Sequence, residues 1–246
     1  NLSGREGQAE KIKSLIRDMG ELGLEVLCYN WMPSEDWCRT TKSNPERGGS
    51  YTTGFDDMAG QRTVTDADGA PEIKTSANEL WANLEWFLEQ VIPVAEEAKV
   101  KLAIHPDDPP LPKFWGNEQI ITSTAAMERV TALVPSPSNG ICFCTGSLGP
   151  TGEDLVSSVR SLKEHIHFVH LRNTIGDANS FRETWHDNGD LDLAAIVHAL
   201  KDIGYDGTIR PDHVPSMLGD SNENPGYEMQ GRLYAAGYIR GLIQSS

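Results

Sequence analysis

Positive charge is scarce in this chain. Its 246 residues hold 21 Lys and Arg against 36 Asp and Glu, a formal net charge of −15. So anionic an envelope repels phosphate backbones, which argues against nucleic acid as a partner. It would equally repel an anionic small molecule, so any such ligand bound here needs local positive charge from a metal ion or from arginines in the site. Cysteine is sparse as well: Cys28, Cys38, Cys142 and Cys144 are too few in a chain of this size for a disulfide scaffold, and a reducing, cytoplasmic setting is expected. No apolar run reaches the roughly 20 residues of a membrane helix, and no charged start followed by an apolar stretch marks a secretion signal, so no membrane partner is expected. Short internal repeats and low-complexity tracts are missing. The chain opens on Asn1 instead of methionine, which reads as a natural start lying further upstream.

The hydrophobic fraction of 38% can supply a core for one α/β barrel domain or two smaller domains. Helical spacing of apolar residues alternates with short β-rich runs. Helices are predicted over 7–22, 76–97, 122–133, 152–164, 191–203 and 227–243, with Ser76 and Glu79 forming a capping box. Strands are predicted over 24–29, 100–105, 140–144, 166–171 and 207–210. The polar, Gly-rich stretch 44–71 is too long for an ordinary connection and reads as an active-site loop or as partly disordered. Strands alternating with helices predict a parallel sheet, and in a doubly wound sheet or a barrel the ligand sits beyond the carboxyl ends of the strands.

Those ends carry the chemistry. They read Cys28-Tyr29-Asn30, His105-Pro106-Asp107-Asp108, Cys142-Phe143-Cys144-Thr145, His170-Leu171-Arg172-Asn173 and Arg210-Pro211-Asp212-His213. One strand-end histidine would mean little, because buried, hydrogen-bonded histidines are commoner than ligands. Four consecutive strands, each delivering a metal-capable side chain at the same relative place, are harder to dismiss. Residues two apart on a strand share a face, so His170 points with Arg172 and Asp212 with Arg210, while His167 and His213 fall in the opposite parity. The two arginines suit bidentate capture of a substrate carboxylate. Two imidazoles, a thiolate and a carboxylate fit a borderline divalent ion such as Mn²⁺, Fe²⁺ or Zn²⁺ better than Mg²⁺ or Ca²⁺. Cys144 is preferred to Cys142 as the sulfur ligand because it ends its strand; Cys28 and Cys142 are assigned to core packing. His167 reads as structural, His186 as a loop residue within possible reach of the site, and Asp107-Asp108 as a solvated turn before Pro109-Pro110.

With these residues in view, the sequence resembles the D-mannonate dehydratase family of the xylose-isomerase-like barrels. The resemblance is carried by the runs 28–33, 102–110, 140–149, 168–172 and 209–213, and continues through Pro225-Gly226-Tyr227 and Gly231-Arg232-Leu233. It implies a (β/α)8 TIM-barrel fold, with about five of the eight parallel strands present and residues 1–246 forming one barrel domain that lacks its first β/α units. It implies dehydration of D-mannonate to 2-keto-3-deoxy-D-gluconate in hexuronate breakdown, with one divalent ion, Mn²⁺ or Fe²⁺, held by His105, Cys144, His170 and Asp212. Arg172, Arg210 and Asn30 are expected at the substrate, His213, Tyr227 and Asp212 in the chemistry, and a homo-oligomer is an open expectation. Removing the proton on carbon 2 of a sugar acid needs a base, and expelling the hydroxyl on carbon 3 needs an acid; an imidazole can serve as either near neutral pH. A sugar isomerase or epimerase on the same barrel, or a non-catalytic metal-binding remnant, are the competing readings.

Overall fold

The computed structural model describes residues 4–33, 37–59, 64–65, 75–114 and 116–245. Five short apolar runs form one sheet: β1 (Val26–Tyr29), β2 (Lys101–Ile104), β3 (Asn139–Cys144), β4 (Ile166–Leu171) and β5 (Ile209–Pro211), neighbouring one another in that order. Every pair is parallel. Parallel strands laid down in sequence order are the wall of a (β/α) barrel, whereas a doubly wound sheet reverses its order partway. The predicted strands all occur, their ends displaced by no more than two residues.

Alternation along these strands divides the sheet into two chemistries. Leu102, Ile104, Ile141, Phe143, Val169 and Leu171 are buried in the main core, where they meet Leu84, Leu88, Val91 and Ile92 of the helix Ala77–Ala98. That helix forms because its apolar residues recur every three to four positions and because Ser76 and Glu79 cap its first turn reciprocally, as the sequence predicts. Helices Thr124–Leu133, Leu155–Ser161 and Leu193–Asp202 fill the later crossovers, each begun by a side-chain cap from Ser123, Asp154 or Asp192. The opposite parity carries Cys28, Ala103, Cys142, Cys144, His170 and Arg210, so the barrel interior is the side with the sulfur, imidazole and guanidinium groups.

The stretch 44–71 differs from its predicted form where it is described. Residues 44–59 belong largely to a hairpin, Thr41–Glu46 with Ser50–Asp56, which joins a second hairpin, Asn173–Asp177 with Ser180–Thr184, in a four-stranded antiparallel sheet. Residues 60–63 and 66–71 lie outside the described residues. The Ser-, Thr- and Gly-rich composition reads as loop because these strands bury hydroxyls instead of an apolar face; Ser50, Thr52 and Thr53 are all buried. A small second core of Cys38, Phe55, Leu111, Phe114 and Phe181 ties this sheet to the barrel. Tyr227 lies in the turn ahead of the terminal helix, Met229–Ser245, instead of inside it.

Candidate active site

The sheet ladder brings the strand ends to one level. His170 pairs in register with Cys144 on one side and Arg210 on the other. The His105 N–H donates to the Tyr29 carbonyl at 2.8 Å, and the Asp212 N–H to the Leu171 carbonyl at 2.9 Å, extending the ladder past the last strand residues. His105, Cys144 and His170 each offer one ligand atom within 4.8 Å of the others. Asp212 stands beside them, with Oδ2 3.8 Å from Cys144 Sγ and Oδ1 3.7 Å from His170 Nδ1. The structure therefore brings together three of the four expected metal ligands and sets the fourth against two of them.

This donor set fits a divalent cation. His170 Nδ1 is buried and has no hydrogen-bond partner, an arrangement costing about 1–3 kcal/mol unless something fills it. Burial by itself would raise the Cys144 thiol, yet Arg172 and His105 bring it down to about 6, toward the thiolate that binds metal. Burial likewise opposes charge on His105, and Cys144 overrides it. The Asp212 carboxyl is disfavoured as an anion by burial but is held well below the usual range by His213, Arg172 and His170.

Behind these groups lies a buried ionic network. Arg39 makes a bidentate pair with Asp108, at 2.8 and 2.9 Å, and reaches Glu183 Oε1 at 2.6 Å. Arg172 Nη2 donates to Asp108 at 2.6 Å, while its Nη1 stands 3.2 Å from both Glu183 and Asp212. His213 Nδ1 lies 2.5 Å from Glu183 Oε1 and 2.7 Å from Arg172 Nη1. A single ring nitrogen cannot donate to one and accept from the other. The carboxylate contact is the shorter, and an ionised carboxylate can only accept, so the network assigns the proton to Nδ1. Nε2 then presents its lone pair to the Tyr227 hydroxyl, 2.8 Å away. Trp37 packs on the imidazole at 4.8 Å between ring centroids, and Thr53 Oγ1 donates to the second Glu183 oxygen at 2.5 Å.

Several sequence expectations change here. Asp107 and Asp108 are buried, not a solvated turn: Asp108 balances two guanidiniums, and Asp107 accepts from the Ile121 N–H while burial pushes its carboxyl up to about 7. His213 joins the site despite its parity, because β5 ends at Pro211 and strand alternation ends with it. Arg172 and Arg210 are not equivalent, since the Arg172 fork is occupied by Asp108, Glu183, Asp212 and Ser147, whereas the Arg210 side chain is 35% exposed with Nη1 3.2 Å from His170 Nε2. Cys28, assigned to core packing, is half-buried and faces the same pocket. His167 donates to or accepts from nothing in the site, its Nδ1 being bonded to the Leu102 carbonyl at 2.8 Å. His186 Nε2 meets the Leu171 carbonyl at 2.8 Å, the same oxygen that anchors the Asp212 backbone. Arg39 and Glu183 escaped the sequence reading entirely, because neither occupies a strand end of the barrel or a recognisable spacing.

Asn30, His105, His170, Arg210, Asp212, His213 and Tyr227 all line one pocket of about 280 Å³. Gly146 holds its back wall open: a Cβ there would stand 1.7 Å from Arg172 Nε. Gly146→Ala is therefore expected to displace Arg172, lowering stability by about 1–3 kcal/mol and reducing turnover with it; thermal unfolding beside steady-state kinetics checks this.

The family model for D-mannonate dehydratase (UxuA) matches residues 1–75 and 70–246. The mannonate dehydratase of Oceanobacillus iheyensis is 39% identical over 265 residues, covering 98% of this chain and 75% of its own. That of Streptococcus suis strain 05ZYH33 is 39% identical over 267 residues, covering 98% and 73%. A crystal structure of mannonate dehydratase from Streptococcus suis serotype 2 superposes with a TM-score of 0.89 at 35% identity, over 99% of this chain and 71% of that one. A D-tagatose 3-epimerase-like protein, at 16% identity and TM-score 0.62 over 98% of this chain and 70% of its own, shares the fold alone. With strand order, strand-end residues and these relatives in agreement, the chain belongs to the D-mannonate dehydratase family.

Proposed function

We propose that this chain eliminates water from D-mannonate to give 2-keto-3-deoxy-D-gluconate. The observation that carries the reading is the meeting, in one pocket, of the His105, Cys144 and His170 donor atoms with the His213–Tyr227 hydrogen bond. His105, Cys144, His170 and Asp212 would hold one divalent ion, with Mn²⁺ or Fe²⁺ suiting the mixed donors. When bound, such an ion supplies Lewis acidity to the substrate carboxylate and so acidifies the proton on carbon 2.

The remaining work falls to the side chains. Glu183 fixes the imidazole so that Nε2 carries the free lone pair, and His213 takes the proton from carbon 2. Burial pushes the Tyr227 hydroxyl up, which keeps on its oxygen the proton that the departing hydroxyl at carbon 3 requires. Arg210, partly exposed beside His170, would meet the substrate carboxylate, with Asn30 lining the same pocket. Arg172, its donors engaged by Asp108 and Glu183, orients Asp212 and His213 in this reading. Placement in hexuronate breakdown, in the cytoplasm and as a homo-oligomer, belongs to the same proposal. Among the described residues no helix is long and apolar enough to cross a membrane.

Incubating the Mn²⁺-loaded chain with D-mannonate should yield a 2-keto-3-deoxy acid, and formation of a ketose or an epimer instead overturns the assignment. His170→Ala is expected to weaken Mn²⁺ binding by on the order of 10- to 100-fold or more, while His167→Ala leaves it intact; metal analysis after dialysis reads both, and the reverse pattern refutes the ligand set.

A further inference from the structure

Two sulfurs, those of Cys28 and Cys142, play no part in the proposed elimination. Cys28 on β1, Cys142 on β3 and His170 on β4 each offer a ligand atom within 4.8 Å of the other two. All three lie on the interior parity; Cys28 and Cys142 come two residues before Asn30 and Cys144 on their strands, and His170 is level with Cys144. Ala103, which separates the two cysteine strands and stands opposite Cys28 in register, contributes only a methyl group. Cys28 and His170 line the active-site pocket, so an ion has a way in.

The sulfurs are not set for a disulfide. They belong to strands two apart in the sheet, whose backbones are separated by about 9.5 Å, against the roughly 4.4–6.8 Å between Cα atoms that a disulfide spans. Bridging through a metal demands less: two thiolates at about 2.3 Å from a tetrahedral ion stand about 3.8 Å from each other, within the spacing observed. Two sulfurs and one imidazole, with a fourth position open to the pocket, form a softer donor set than the His105, Cys144, His170 and Asp212 group, which contains a carboxylate and one sulfur.

We propose that Cys28, Cys142 and His170 form a second metal site, selective for a thiophilic d¹⁰ cation such as Zn²⁺ or Cd²⁺, and that its occupation excludes the ion needed for turnover. Exclusion follows from the shared residue. His170 belongs to both groups, and a neutral imidazole has one lone pair to give a cation. Binding at the second site stands on the Cys28, Cys142 and His170 geometry alone; the competition rests on the reading of His170 as a ligand of the catalytic ion.

Cadmium titration of the whole chain, followed by the ultraviolet thiolate-to-metal charge-transfer band, separates the two. Wild type should bind Cd²⁺ with the intensity of two thiolates. Cys144→Ser should keep that band. Cys28→Ser and Cys142→Ser should each halve it and weaken binding by on the order of 10- to 100-fold. Cys142 is wholly buried, so if its serine variant does not fold, the half-buried Cys28 decides. A one-thiolate band lost in Cys144→Ser and retained in Cys28→Ser overturns the site. In parallel, Cd²⁺ should abolish Mn²⁺-supported turnover in wild type at concentrations that leave turnover in Cys28→Ser intact, with only the displacement at the Cys144 group remaining at higher concentrations. A two-thiolate band without loss of turnover upholds the site and overturns the role of His170 at the catalytic ion.

Discussion

His213→Asn is expected to lower kcat by about 10²- to 10⁴-fold while bound Mn²⁺ and the melting temperature stay close to wild type. The asparagine amide can occupy the place of Nδ1 and donate to Glu183, so the network behind it keeps its partner. What disappears is Nε2, the atom facing the Tyr227 hydroxyl and the pocket. Tyr227→Phe should produce a loss of the same order by removing the donated proton, and the double variant should lose little more than either alone, because the two groups act as one unit. Steady-state kinetics with D-mannonate, run beside metal analysis, reads all three. Turnover surviving in His213→Asn would assign the proton transfer elsewhere.

Asp108→Asn should damage the fold more than the chemistry. The carboxylate is 4% exposed, holds Arg39 through both oxygens and receives Arg172 as well. Removing one member of a buried ionic set leaves unpaired charge, which typically costs about 3–5 kcal/mol; for a chain of this size the melting temperature should fall by roughly 6–20 °C. The effect depends on pH in a defined direction. Burial opposes the Asp108 anion, but Arg172 and Arg39 hold its carboxyl below the ordinary aspartate range. A depressed folded-state value contributes stability above the unfolded aspartate value of about 3.9, and that contribution drains away as pH falls toward the folded value. The gap between wild type and Asp108→Asn should therefore be widest near neutrality and narrow below about pH 4. A gap independent of pH, measured by thermal unfolding, would mean that Asp108 packs as a neutral acid.

The barrel wall and the cluster of metal-capable side chains were legible because a parallel strand declares itself by a short apolar run and gathers its chemistry at its carboxyl end. His105 and Asp212, just past β2 and β5, and Cys144 and His170, within the last two residues of β3 and β4, follow that rule. Arg39 and Glu183 do not, since their antiparallel strands bury hydroxyls and charges, and their partners are defined in three dimensions alone. Asp108 was misread for a related reason: an acidic pair before two prolines resembles an exposed turn unless the two guanidiniums that bury it are known. Arg172 looked like a free hand for the substrate because the sequence shows its position but not the three carboxylates and the hydroxyl that already hold it.

Arg39 and Glu183 meet across 144 residues of sequence. At about 5–20 residues per second of synthesis, the guanidinium emerges roughly 7–30 s before the carboxylate that will share it. During that interval Arg39 has good reason to stay in water, because burial without Glu183 would leave part of its fork unanswered. The clamp on His213 is thus completed late, once the second hairpin has been made, and a nascent chain that has already paired β1 with β2 still has no fixed imidazole with which to move a proton.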